Sequence, residues 1–101
     1  MIPSPGRIVE YILGRHDADQ INVRRDDALK NKAIGETGFV LHVGNPAEAG
    51  SAYPMMITRV WGNKEDSPVN GQVFLDGNDT LWVTSVSQGD GERKFREFQR
   101  V

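Results

Sequence analysis

Residues 70–91 read NGQVFLDGNDTLWVTSVSQGDG. Two runs rich in β-branched and aromatic side chains flank a DGND turn, which is the pattern of a β-hairpin. Pairing across a hairpin follows from its loop length, and a slip of one residue exchanges the two faces. A two-residue loop at Gly77 and Asn78 sets Val73 against Trp82 and Phe74 against Leu81, which mixes both faces. A loop of three or five residues sets Leu75 against Leu81, Val73 against Val83 and Phe74 against Trp82. The odd register leaves one face wholly aliphatic, so it is the expectation here. Phe74 and Trp82 then share the other face with Gln72 and Thr84.

Working outward, "IPSPG" (2–6) is a stiff, non-helical entry and "RIVEYIL" (7–13) reads as a strand. From Asp17 the character changes. Asp17 can cap a helix, Gln20 stands three positions on as in a capping box, and Gly35 suits a stop. Ala18, Ile21, Ala28 and Leu29 fall near one side of a helix over about 18–33. That apolar stripe is thin, so the helix belongs on the surface of the domain. "FVLHV" (39–43) reads as a short strand, "NPAEAGSA" (45–52) as a loop, and "YPMMITRVWG" (53–62) as a long strand with Pro54 near its start. "FREFQRV" (95–101) is a closing strand or turn.

Short strands with one early helix predict a mainly β (α+β) fold: a small, SH3-like, strongly bent antiparallel barrel with the helix inserted between strands 1 and 2. An OB-like barrel is the alternative. At 101 residues the chain reads as one globular domain, 1–101. Its 38 % apolar and 26 % charged residues suit a folded, soluble protein rather than a disordered one. The start "MIPSPGRIVE" carries no signal-peptide pattern, and no apolar run reaches membrane-spanning length. The net charge of −2 argues against nucleic acid as the partner.

Candidate chemistry is sparse. With no cysteine, disulfides, thiolate metal sites and thiol nucleophiles are excluded. "DGNDT" (76–80) places Asp76, Asn78 and Thr80 at alternate positions as in a calcium loop. Leu81 stands where that loop needs its glycine and Ser87 where it needs its glutamate, so a plain turn is the simpler reading. His16 and His42 have no sequence neighbour completing a metal or nucleophile–base set. Arg24 and Arg25, followed by Asp26 and Asp27, read as a solvated helix face with local ion pairs. No catalytic residue, metal ligand or cofactor is therefore expected, and the chain reads as a non-enzyme.

That leaves the aromatics. Trp82, Phe74 and Trp61 are the candidate binding residues, since aromatics concentrate at interaction hot spots. The preferred arrangement has the helix laying Ile21 and Leu29 over Phe74, with the edge of Trp82 exposed at the centre of any interaction surface. The facing of Trp61 stays open.

"IPSPGRIVEY", "HVGN", "YPMMITRVWG" and "VNGQVFLDGNDTLWVTSV" together resemble short uncharacterised proteins of tailed bacteriophages and prophages. The resemblance implies a phage or prophage origin and no particular activity. With the missing catalytic set, the compact strand-rich plan and the paired aromatics, the expected function is a non-enzymatic protein-interaction domain of phage origin, either a small virion component or an accessory factor, located in the host cytoplasm or on the virion. The expected partner is a protein, another phage product or a second copy. A single-stranded nucleic-acid-binding barrel is the alternative.

Overall fold

The computed structural model describes residues 1–32, 46–77 and 79–98. The strand expected at 39–43, His42, the helix stop at Gly35, Asn78, the side chains of Ala28 and Leu29, and residues 99–101 lie outside them.

The elements are β1 (Ile8–Ile12), α1 (Arg15–Lys32), β2 (Ala52–Val60), β3 (Val69–Phe74), β4 (Thr80–Val86) and β5 (Phe95–Arg96). The strands form one five-stranded antiparallel sheet in the order β4-β3-β2-β1-β5. Among the described residues the fold is thus mainly β with one helix following β1, as the sequence predicts. The sheet is unclosed. β5 is only two residues long and cannot run along β4. The link across is a single parallel bridge between Gln88, just past β4, and Phe95 of β5, fixed by Phe95 N–H to Ser87 O and Gly89 N–H to Phe95 O.

Alternation along the strands sorts the sheet into two faces. The inner face carries Val9, Tyr11, Met55, Ile57, Val69, Val73, Leu81 and Val83, all buried in a single core. Gly71 lies on this face without a side chain, and Met55 fills the space: a Cβ there would stand 2.6 Å from the Met55 Cγ. Pro54 pairs with Glu10 of β1 and lies one residue beyond the last β2–β3 pair, so its missing N–H interrupts no rung of that ladder.

α1 packs on this inner face through Ala18 and Ile21. It starts earlier than the sequence suggests. Gly14 is the N-cap, its carbonyl accepting from Ala18 N–H at 3.1 Å. Asp17 therefore sits at the third helical position, not the cap, and its Oδ2 reaches back to accept from Gly14 N–H at 3.1 Å. This is the reciprocal half of a capping box, played by Asp17 rather than Gln20. The same oxygen accepts from the buried Tyr11 hydroxyl at 2.6 Å, which ties the helix start to the core. Farther along, Asn22 exchanges two hydrogen bonds of 2.9 Å with the backbone of Ala47.

Candidate functional site

The hairpin has the odd register, with a pairing two residues from the expected one. Phe74 faces Thr80, Val73 faces Leu81 and Gln72 faces Trp82. The loop spans 75–79, with Gly77 N–H turning back to Leu75 O at 2.9 Å. Phe74 and Trp82 are thus diagonal neighbours, not a direct cross-strand pair. The faces themselves fall as predicted: Val73, Leu75, Leu81 and Val83 are buried, and Phe74 and Trp82 stand on the opposite side.

The helix does not cover those aromatics. Phe74 is 41 % exposed and Trp82 59 % exposed, while the buried apolar residues of α1, Ala18 and Ile21, pack on the aliphatic face. The physical reason is the anchor at its start. Tyr11 points inward, so a helix tied to Tyr11 through Asp17 must lie on Tyr11's side of the sheet.

The outer face is a row of opposed side chains. Ile8 of β1 faces Met56 of β2, Met56 faces Gln72 of β3, and Gln72 faces Trp82 of β4. Ile8, Met56, Phe74 and Trp82 are all exposed. Thr80 Oγ1 donates to Gln72 Oε1 at 3.2 Å, which holds the one polar member of the row in place. One flank carries paired charges: Arg96 meets Glu10 at 3.0 Å and Asp90 at 3.5 Å. Hydrogen bonding to Glu10 first, then the charges of Glu10 and Asp90, hold the Arg96 guanidinium above its ordinary pKa against desolvation.

Trp61 belongs to this face. Its Nε1–H donates to Asn70 Oδ1 at 3.0 Å, and the Arg59 guanidinium stacks 3.9 Å from its ring centre. Asn70 shares a face with Gln72 by alternation, so Trp61, Phe74 and Trp82 stand on one side of the sheet. The Asn70 oxygen also accepts from Ser85 N–H at 2.9 Å. Ser85 is the extra residue of a β-bulge between Val69 and Gly71 of β3, and its φ of 52° is a left-handed conformation unusual for serine.

At the edge of the sheet a groove of about 670 Å³ runs between one flank of α1 and β4, with His16, Asp19, Val23 and Asp27 on the helix and Leu81 and Trp82 on the strand. Its end is held by ion pairs absent from the sequence reading. Arg24 and Arg25 do not pair along a solvated helix face. They reach Asp79 in the hairpin loop at 3.1 and 2.9 Å, and Arg25 is buried. Burial pushes the Asp79 carboxyl up, but the hydrogen bond from Arg25 and the charges of both arginines outweigh it and hold the group below its ordinary value. The Asp79 carboxylate is thereby committed within the fold.

Chemistry of the buried groups is structural. Burial first, then the hydrogen bond and charge of Asp17, push the Tyr11 phenol well above its ordinary pKa, so it remains a neutral donor. Among the described residues no three His, Asp or Glu side chains gather as a metal-binding group, and no helix is long and apolar enough to cross a membrane. No family model, no curated protein and no solved structure matches the chain.

Proposed function

We propose that this chain is a non-enzymatic protein-interaction domain that binds its partner through the outer face of the sheet, with Trp82 at the centre and Phe74 and Trp61 beside it. The observation that carries the reading is the grouping of Ile8, Met56, Phe74 and Trp82, all solvent-exposed, on the face opposite the helix. Large apolar side chains gathered in the open mark interaction sites far more than isolated ones do. Tryptophan supplies much contact area at little entropic cost, which suits a hot spot. The resemblance to phage and prophage proteins makes the partner another phage product, a host protein or a second copy, and the setting the host cytoplasm or the virion. An SH3-like barrel, with an OB-like one as the alternative, goes with this reading, and the Gln88–Phe95 bridge favours it by drawing the two ends of the sheet together.

The test is affinity capture from phage-infected or lysogenic cells with the wild-type chain and with a Phe74→Ser/Trp82→Ser double variant. A protein enriched by the wild type and lost with the variant is the expected result. Identical captured sets would refute the reading. A second reading has one observation in its favour: three aromatics on one open sheet face could stack bases of a single strand. Against it, Arg7 and Arg96 are already engaged by Glu97, Glu10 and Asp90. Single-stranded DNA or RNA bound below micromolar concentration, and weakening steeply with salt, would promote it.

A further inference from the structure

Among the described residues, β4 is the outermost strand on its side of the sheet. Which of its backbone groups are free follows from alternation. Leu13 N–H donates to Ser51 O, Ile57 N–H donates to Arg7 O and Ile57 O accepts from Gly6 N–H, so odd-numbered residues of β2 bond toward β1. Even-numbered ones, Met56 among them, bond toward β3. Gln72 faces Met56 and bonds toward β2; Gly71 and Val73 then bond toward β4. Trp82, opposite Gln72, points its N–H and C=O away from β3, off an edge that no other described strand pairs with. Thr80 has the same parity, and its carbonyl is met from outside by Arg24 Nη2 at 3.4 Å. Beside this edge lies the groove against α1.

We infer that the β4 edge takes up an extended peptide as a further strand of the sheet, one that carries basic residues at alternate positions with apolar residues between them. This rests on the protein-binding reading above and gives its partner a chemistry. In strand addition the main chain supplies affinity and alternate side chains supply specificity. Side chains of the added strand on the helix side enter the groove. There the aliphatic stem of a lysine or arginine lies along Val23 and Leu81 while its charge meets Asp19 and Asp27. Arg24, the cation of that wall, is engaged by Asp79 at 3.1 Å, and Arg15 approaches Asp19 only to 3.9 Å at the exposed helix start, so the two carboxylates Asp19 and Asp27 leave the groove net acidic. The intervening residues stand beside Trp82. A second copy fits poorly: β4 carries no cation, and a paired copy would bring its own Asp19 and Asp27 to the same place. The free run is short, closed at one end by the Ser85 bulge and at the other by the Arg24–Asp79 pair, so the contact is weak.

The experiment titrates the full chain with a capped seven-residue peptide alternating lysine and valine, followed by tryptophan fluorescence and backbone amide NMR. Saturable binding in the micromolar range is expected, with shifts centred on Trp82. Glutamate in place of lysine should weaken it by roughly tenfold or more, a difference of about 1.4 kcal/mol. N-methylation of the peptide amides that face β4 should abolish it. An Asp19→Lys/Asp27→Lys variant, altered only at exposed helix positions, should prefer the glutamate peptide. Equal affinity for both peptides, indifference to N-methylation, or no binding of the lysine peptide overturns the inference. Capture that depends on Phe74 and Trp82, together with failure of every peptide to bind, sinks strand addition and leaves the protein-binding reading standing.

Discussion

Replacing Asn70 by alanine removes one oxygen that serves two donors. The Ser85 amide donates to it at 2.9 Å and the Trp61 indole at 3.0 Å, and Asn70 itself is buried. The Ser85 amide belongs to the bulge and has no ladder partner, so losing its acceptor costs on the order of 1–1.5 kcal/mol. The indole sits on a 47 % exposed residue and can turn to water, which limits its share to about 0.5 kcal/mol. Together the loss is about 2 kcal/mol, or a fall in Tm of roughly 10 °C for a domain of this size. Urea titration and thermal melts measure it, and tryptophan emission reports the release of Trp61. Asn70→Asp retains the acceptor and should keep most of the stability. Ser85→Gly, which removes the Cβ from a left-handed position, should be neutral or stabilising by up to about 1 kcal/mol. A change below about 0.5 kcal/mol for Asn70→Ala, or equal damage from Asn70→Asp, would refute the assignment of Asn70 as the clamp of the bulge.

Trp82→Ala should shift stability by no more than about 0.5 kcal/mol in a thermal melt, as for an exposed side chain, and a loss above 2 kcal/mol would return it to a core. Gly71→Ala should cost about 1–3 kcal/mol by overpacking, since the new Cβ meets Met55 at 2.6 Å and the Met56 carbonyl at 3.0 Å; denaturant midpoints check it. Asp79 has a folded-state pKa below its unfolded value of 3.8, so its stabilising contribution is present above that value and is lost as pH falls through the folded one. Asp79→Asn should therefore flatten the acid limb of the stability–pH curve below about pH 4 and leave the shape of the alkaline limb unchanged.

The sequence was informative where a single parity decides many side chains. One choice between odd and even loops sorts Val73, Leu75, Leu81 and Val83 from Phe74 and Trp82, and the burial of those residues follows it. Parity does not fix where the loop is centred: it lies over 75–79 rather than 76–80, and Phe74 consequently meets Thr80 rather than Trp82. The side of the sheet taken by α1 was beyond reach for a different reason. Its apolar stripe is too thin to choose a face, and the choice is made by a buried hydrogen bond from Tyr11 to Asp17. Asp17 has two readings in sequence, cap or third helical residue, and only the position of Gly14 separates them. The Arg24 and Arg25 pairs with Asp79 span more than fifty positions, and nearby Asp26 and Asp27 offered a simpler local account. The Ser85 bulge carries no glycine to announce it. The exposed aromatics of the candidate site were legible as residue types, and their shared face emerged only with the sheet register.

The pairing of β5 with β1 also decides how the domain meets mechanical load. Tyr11 pairs with Phe95 and Glu10 with Arg96, so the entry to β1 and the exit from β5 lie side by side, joined by Arg7 and Glu97 at 3.2 Å. Tension applied at residues 7 and 97 therefore pulls across the strands, not along them. The rungs separate in succession, as a zipper opens, and none shares its load with the next. The first to go are the Arg7–Glu97 pair and the two β1–β5 pairs, while the longer β2–β3 ladder stays out of the line of force. A tether holding this domain by those two points would load β5 first, and its resistance would be set by the burial of Phe95 in the core rather than by the length of any ladder.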